Sequence, residues 1–130
     1  MIIRGAIRRE LERHADDEAP NEACGLLALR AGVAERYIPC VNTAASPFRF
    51  DLRVPDPELI FEVEEDGYEL AVFHSHPTDS ARPSKTDLAN IGLWEDRPYL
   101  ILSRPTGELC AWTIRGGAVE PLPLDFQGDL

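Results

Sequence analysis

Apolar residues recur at every fourth position from Ile3 through Ile7 and Leu11 to Ala15, with arginines and acids between them. That repeat predicts an amphipathic helix over residues 2–18, closed by Pro20 and Asn21. The pattern then changes. Residues 23–29 are a short continuous apolar run suited to a strand buried on both faces, and Arg30-Ala31-Gly32 turns the chain into a second strand over residues 33–38. Phe48, Phe50 and Leu52 alternate with Arg49, Asp51 and Arg53, the period-two pattern of a strand with one buried face. Asp56 and Pro57 supply an N-cap and a first-turn proline for a second helix running to Gly67, with Leu59, Ile60 and Val63 inward. Glu62, Glu64, Glu65 and Asp66 form its solvated face.

A further strand runs through Leu70-Ala71-Val72-Phe73 to His76, where Pro77 stops it for want of an N–H. Ser84-Lys85-Thr86-Asp87 has the form of a capping box and opens a third helix carrying Leu88, Ile91 and Trp94. Strands over residues 99–103, 108–114 and 118–122 follow, separated by Gly- and Pro-rich turns. Residues 125–130 read as a polar, disordered tail, leaving 1–124 as a single α/β domain: a mixed sheet with helices packed on its faces.

With 130 residues the chain is long enough to bury a real core without a second domain. The 13 basic and 23 acidic residues give a formal charge of −10, which excludes a nucleic-acid binder because the cations that displace condensed counterions are missing. No apolar run approaches the ~18 residues of a membrane span. The opening Met1-Ile2-Ile3-Arg4-Gly5 lacks a signal-peptide pattern, so a cytoplasmic location is expected. Cys24, Cys40 and Cys110 are an odd number without Cys-x-x-Cys spacing, which argues against a disulfide framework and assigns all three to the core.

The candidate chemistry lies in residues 74–87. His74 and His76, two apart on a strand, point to one face and can reach one ion. Asp87, in the first turn of the third helix, can fold back toward them. Two imidazoles and one carboxylate are the protein ligands of an open catalytic zinc site. Taken singly, the histidines are polar residues at a strand end, and Ser84 and Asp87 are a helix cap. Glu22, at the mouth of the apolar run, is either solvated there or faces a cation, because an unpaired buried charge costs several kcal/mol.

Taken together, these residues resemble the JAMM (MPN-type) metallopeptidase signature: His-x-His, seven residues, Ser, two residues, Asp, with a glutamate upstream. Seven residues separate His76 from Ser84, two separate Ser84 from Asp87, and Glu22 stands in Pro20-Asn21-Glu22-Ala23-Cys24-Gly25-Leu26-Leu27. The resemblance implies a compact JAMM/MPN domain related to the cytidine deaminase architecture. It implies one zinc ion on His74, His76 and Asp87, with Glu22 as the general base that passes a proton from water to the leaving amine. Ser84 would donate a hydrogen bond to the oxyanion, a role that competes with capping. Ser75 points away from the histidine face and is structural.

The chain lacks the long insertions of the eukaryotic deubiquitinating members. It is more similar to the short bacterial members, which implies a small ubiquitin-like sulfur-carrier protein as substrate, cut at its C-terminal end. Two other classes stay in play: a metal-free MPN-type binding module, against which every motif position is filled, and a cysteine or serine hydrolase using Cys24 or Ser84 with a histidine. Cys24 has no basic neighbour in sequence to lower its pKa.

Overall fold

The computed structural model describes residues 1–128. Its elements are β1 (Ile2–Arg4), α1 (Gly5–Glu18), β2 (Cys24–Arg30), β3 (Val33–Asn42), β4 (Leu52–Arg53), α2 (Glu58–Glu65), β5 (Glu69–His76), α3 (Lys85–Ala89), a 3₁₀ turn (Gly92–Trp94), β6 (Tyr99–Ser103), β7 (Leu109–Arg115), β8 (Ala118–Leu122) and β9 (Asp125–Gln127). Among the described residues the strands make one mixed sheet in the order β8-β7-β6-β5-β2-β3-β1-β9, with β4 paired to β3. The β5–β6, β1–β3 and β1–β9 pairs are parallel and the others antiparallel.

β8 and β9 stand at opposite ends of that order, yet only Pro123 and Leu124 separate them in sequence. The three peptide steps between Leu122 and Asp125 span about 10 Å at most. The sheet must therefore curl until its two ends approach each other. The Met1 amino group donates to the Pro123 carbonyl and the Asp125 N–H to the Met1 carbonyl, fastening the junction.

Curling gives the sheet two differently used faces. On one, Ile7, Leu11 and Ala15 of α1 pack on Leu27, Leu29, Phe73, Leu100 and Leu102. On the other, Leu26, Val72, Tyr99 and Ile101 are covered by Val63 of α2 and, at the margin, by Leu59, Ile60, Leu88 and Trp94. Because both faces are covered, β2, β5 and β6 read as continuous apolar runs rather than alternations. No helix among the described residues is long and apolar enough to cross a membrane.

Several local expectations are corrected. Residues 2–4, expected in the first helix, form β1, where Ile2 pairs with Val33 and with Asp125. The fourfold repeat runs from Ile3 into α1 unbroken because strand pairing buries Ile3 as thoroughly as a helix face would. The second strand runs to Asn42, past Pro39. Pro39 sits where β3 has no second neighbour, between its pairing with β1 at Val33 and with β4 from Val41, so its missing N–H leaves no bond unmade.

The alternating segment from Phe48 is a loop up to Asp51, with strand only at Leu52–Arg53 and Phe48 exposed. The third helix is a short α3 followed by the 3₁₀ turn. Residues 125–127, expected in a disordered tail, pair with β1 and close the sheet. The part of that expectation concerning residues 129 and 130 lies outside the described residues. Cys24 and Cys40 are buried as expected, but Cys110 is only half-buried.

Gly25 marks a close approach on the α1 side of the sheet. A Cβ there would overlap the Tyr37 ring and hydroxyl. Tyr37 cannot retreat, because its hydroxyl is 2.6 Å from His14 Nδ1 and its ring meets Phe73 edge-on. Gly25→Ala is therefore predicted to cost about 1–3 kcal/mol, as overpacking does. Urea unfolding of the variant checks this, and an unchanged midpoint would contradict it.

Candidate metal centre

β5 lies between β2 and β6 in the middle of the sheet, and its last three residues are His74, Ser75 and His76. The two-residue period sends both imidazoles to the α2 and α3 side and Ser75 to the other. All three are buried. The Ser75 hydroxyl accepts the Ala23 N–H at 2.8 Å, and Ser75 in turn donates its own N–H to the Ala23 carbonyl at 3.0 Å. Its role is to pin the chain just beyond Glu22 to the end of β5, consistent with the structural part expected of it.

Asp87 reaches the histidines because of how α3 begins. Ser84 is the N-cap, its Oγ accepting the Asp87 N–H at 3.0 Å, while Asp87 Oδ2 accepts the Ser84 N–H at 2.9 Å. This reciprocal box holds the Asp87 carboxylate over the end of β5. Asp87 Oδ2 is 3.0 Å from His76 Nε2 and Oδ1 is 3.3 Å from His74 Nε2. The two Nε2 atoms are 3.0 Å apart. Glu22, two residues before β2, brings Oε1 to 3.9 Å from His74 Nε2. The structure thus gathers His74, His76, Asp87 and Glu22 at one buried point, with Ser84 at its edge.

Three residues contribute that sequence reasoning passed over. The Ser80 carbonyl lies 2.7 Å from His76 Nδ1 and takes its proton in the neutral ring, leaving the Nε2 lone pair free. Phe50 stacks on the His74 ring at 4.6 Å between centroids, and Tyr99 meets it edge-on at 5.1 Å. Phe50 was legible as apolar; its target, His74 on β5, has no local signal.

Burial and mutual charge set the protonation. Burial, followed by the nearby Asp87 carboxylate, pushes the Glu22 carboxyl up to about 8. Burial drives His74 down from the usual histidine range. For His76 burial also acts downward, but the Asp87 carboxylate and the Ser80 carbonyl outweigh it and its pKa rises. Asp87 is buried too, yet its bonds to His74, His76 and the Ser84 N–H hold it well below the carboxylate range.

The site fits a divalent cation on the chemistry of its donors. Among the described residues, two imidazole nitrogens and two carboxylates converge without an arginine or lysine, and Glu22 Oε1 is buried with no hydrogen-bond partner. Glu22, His74 and His76 can each offer one ligand atom with all three within 4.8 Å of one another. Asp87 is nearer to the histidines than Glu22 is, so four side chains compete for the places around one ion.

The model of the Prok-JAB family, prokaryotic homologues of the JAB domain, matches residues 5–115. The chain belongs to this family. Among its relatives, the CysO-cysteine peptidase of Mycobacterium tuberculosis is 32% identical over 132 residues, covering 96% of this chain and 90% of the relative. A probable TtuB-protein conjugate cleaving protease of Thermus thermophilus is 40% identical over 104 residues, covering 78% and 68%. The solution structure of a Desulfitobacterium hafniense protein superimposes with a TM-score of 0.82 at 30% identity, covering all of this chain and 95% of the other. The JAMM/MPN resemblance in the sequence and the mixed α/β fold agree with this membership, and the chain is a peptidase-type hydrolase domain.

A thiol mechanism has no support in this Prok-JAB domain. Cys24 is fully buried, and burial pushes its thiol up to about 12, so almost no thiolate forms at neutral pH. Alkylation of the native protein at neutral pH is predicted to modify Cys110 at most, with Cys24 and Cys40 reacting only after unfolding. Peptide mass mapping reads this directly, and native labelling of Cys24 would restore the thiol mechanism.

Proposed function

We propose that the chain is a zinc-dependent JAMM-type peptidase that hydrolyses a peptide or isopeptide bond at the C-terminal end of a small ubiquitin-like sulfur-carrier protein. The observation that carries this is the meeting of His74 Nε2, His76 Nε2 and the Asp87 carboxylate within 3.3 Å of one another, beside a Glu22 oxygen without a partner. His74, His76 and Asp87 would hold one zinc per chain. Zinc bound there supplies Lewis acidity, polarising the scissile carbonyl and lowering the pKa of water from 15.7 to about 7.

The chain's own groups do the rest. Glu22 Oε1, buried and unengaged, accepts the proton of the attacking water and returns it to the departing amine nitrogen. Ser84 need not choose between its two roles: its oxygen accepts the Asp87 N–H while its own proton stays free for the oxyanion. Phe50 covers one face of His74 and keeps water from it.

The substrate class is supported by the names of the relatives, a CysO-cysteine peptidase and a TtuB-protein conjugate cleaving protease. An extended carrier tail binds most readily by adding to a sheet edge, and a Gly-Gly end passes where a Cβ would clash. Three free cysteines suit a reducing compartment, so the proposed location is the cytoplasm.

Two experiments follow. Chelation should abolish cleavage of a ubiquitin-like carrier extended at its C-terminus, and added zinc should restore it; cleavage that survives chelation would contradict a metal enzyme. Glu22→Gln should keep the zinc and the fold while turnover falls by roughly 10²- to 10⁴-fold. Zinc content, melting temperature and turnover are measured on one preparation. A fully active, zinc-loaded variant removes Glu22 from the chemistry, and loss of zinc makes Glu22 a ligand.

A further inference from the structure

Asn42, the last residue of β3, uses every hydrogen-bonding position of its side chain. Its Nδ2 donates to the Glu22 carbonyl at 3.0 Å and to the Arg49 carbonyl at 3.1 Å. Its Oδ1 accepts the Ala44 N–H at 3.1 Å and the Asp51 N–H at 3.0 Å. Two carbonyls on one side and two N–H groups on the other fix which end of the amide is which. One side chain thus braces three pieces of backbone: Glu22, two residues before β2, and both ends of the loop over residues 43–51.

That loop meets Glu22 a second time, because the Glu22 N–H donates to the Ser46 carbonyl at 2.9 Å. Its ends are joined by the Thr43 N–H and hydroxyl, which both donate to the Asp51 carbonyl, at 2.9 and 3.2 Å. Near its end it carries Phe50, stacked on His74. The main chain of Glu22 is therefore held on both sides, by Asn42 at the carbonyl and by Ser46 at the N–H. The carboxylate itself has an oxygen without a partner. A side chain with an unengaged end takes its aim from the backbone that carries it, and here that backbone is set by Asn42.

We propose that Asn42 is a positioning residue for Glu22, fixing the backbone from which that carboxylate projects. This rests on the role proposed above for Glu22. Among the described residues no hydrogen bond joins Asn42 to His74, His76 or Asp87, so its effect on turnover is separable from metal binding.

The test compares Asn42→Ala in the wild-type and Glu22→Gln backgrounds. Asn42→Ala should retain zinc and lose about 10- to 100-fold in kcat, the usual effect of removing an outer-shell partner. In the Glu22→Gln background the same substitution should change kcat less than about twofold, because a residue acting through Glu22 has nothing left to act on. A second readout is independent of catalysis: trypsin should cut after Arg49 at least about tenfold faster once both loop ends are released.

Asn42→Asp keeps the two acceptor bonds but turns the donors facing Glu22 and Arg49 into acceptors, and it serves if the alanine variant does not fold. Wild-type kcat in Asn42→Ala, equal fold losses in the two backgrounds, or unchanged tryptic cleavage would each overturn the proposal. A wild type with no peptidase activity would overturn the peptidase reading instead, and the tryptic comparison would then decide whether Asn42 holds the loop.

Discussion

Two carboxylates and two imidazoles are buried within a few ångströms of each other, in a chain whose formal charge is already −10. Taking one carboxylate out of water costs several kcal/mol, and two side by side repel. Asp87 is stabilised by both histidines and by the Ser84 N–H; Glu22 has no comparable support and rises toward neutrality. A cation held by the two histidines and Asp87 would offset the negative charge of both carboxylates, Asp87 by direct contact and Glu22 from 3.9 Å beyond His74 Nε2. The surrounding fold serves to hold four donors that would otherwise separate.

Each donor is held by a different kind of bond. The histidines sit at the end of the central strand β5, where β2 and β6 flank His74 and β6 pairs with His76. Asp87 is held by a helix cap, Glu22 by backbone bonds from the loop after β3 and by the neighbouring Ala23–Ser75 pair. The other sheet face is filled by α1 and the Tyr37–His14 contact. A site shared between strand ends and a braced loop keeps its donors fixed.

The gathering of the candidate site's side chains was largely legible from the chain because its signals are local. A strand period of two places His74 and His76 together, and a cap box places Asp87 in the first turn of α3. Glu22 was visible as a charge out of place before an apolar run. What escaped depends on pairing across long separations. β1 and β9 are three-residue strands that exist because the sheet curls, and neither has a pattern of its own. Phe48, Phe50 and Leu52 alternate like a strand, but the loop is shaped by Asn42 and by Phe50 turning onto His74. Cys110 read as core because its neighbours in sequence are apolar, while β7 leaves it half-buried.

The central claim is that His74, His76 and Asp87 together hold a single zinc ion, and anomalous diffraction at the zinc absorption edge tests it most directly. Crystals of the protein purified without chelator should give one strong peak per chain, at zinc–nitrogen bonding distance, about 2.0–2.1 Å, from both Nε2 atoms and within bonding distance of Asp87. The Glu22 carboxylate should lie outside the bonding shell. No peak at this point, or a peak bonded to Glu22 in place of Asp87, would contradict the account.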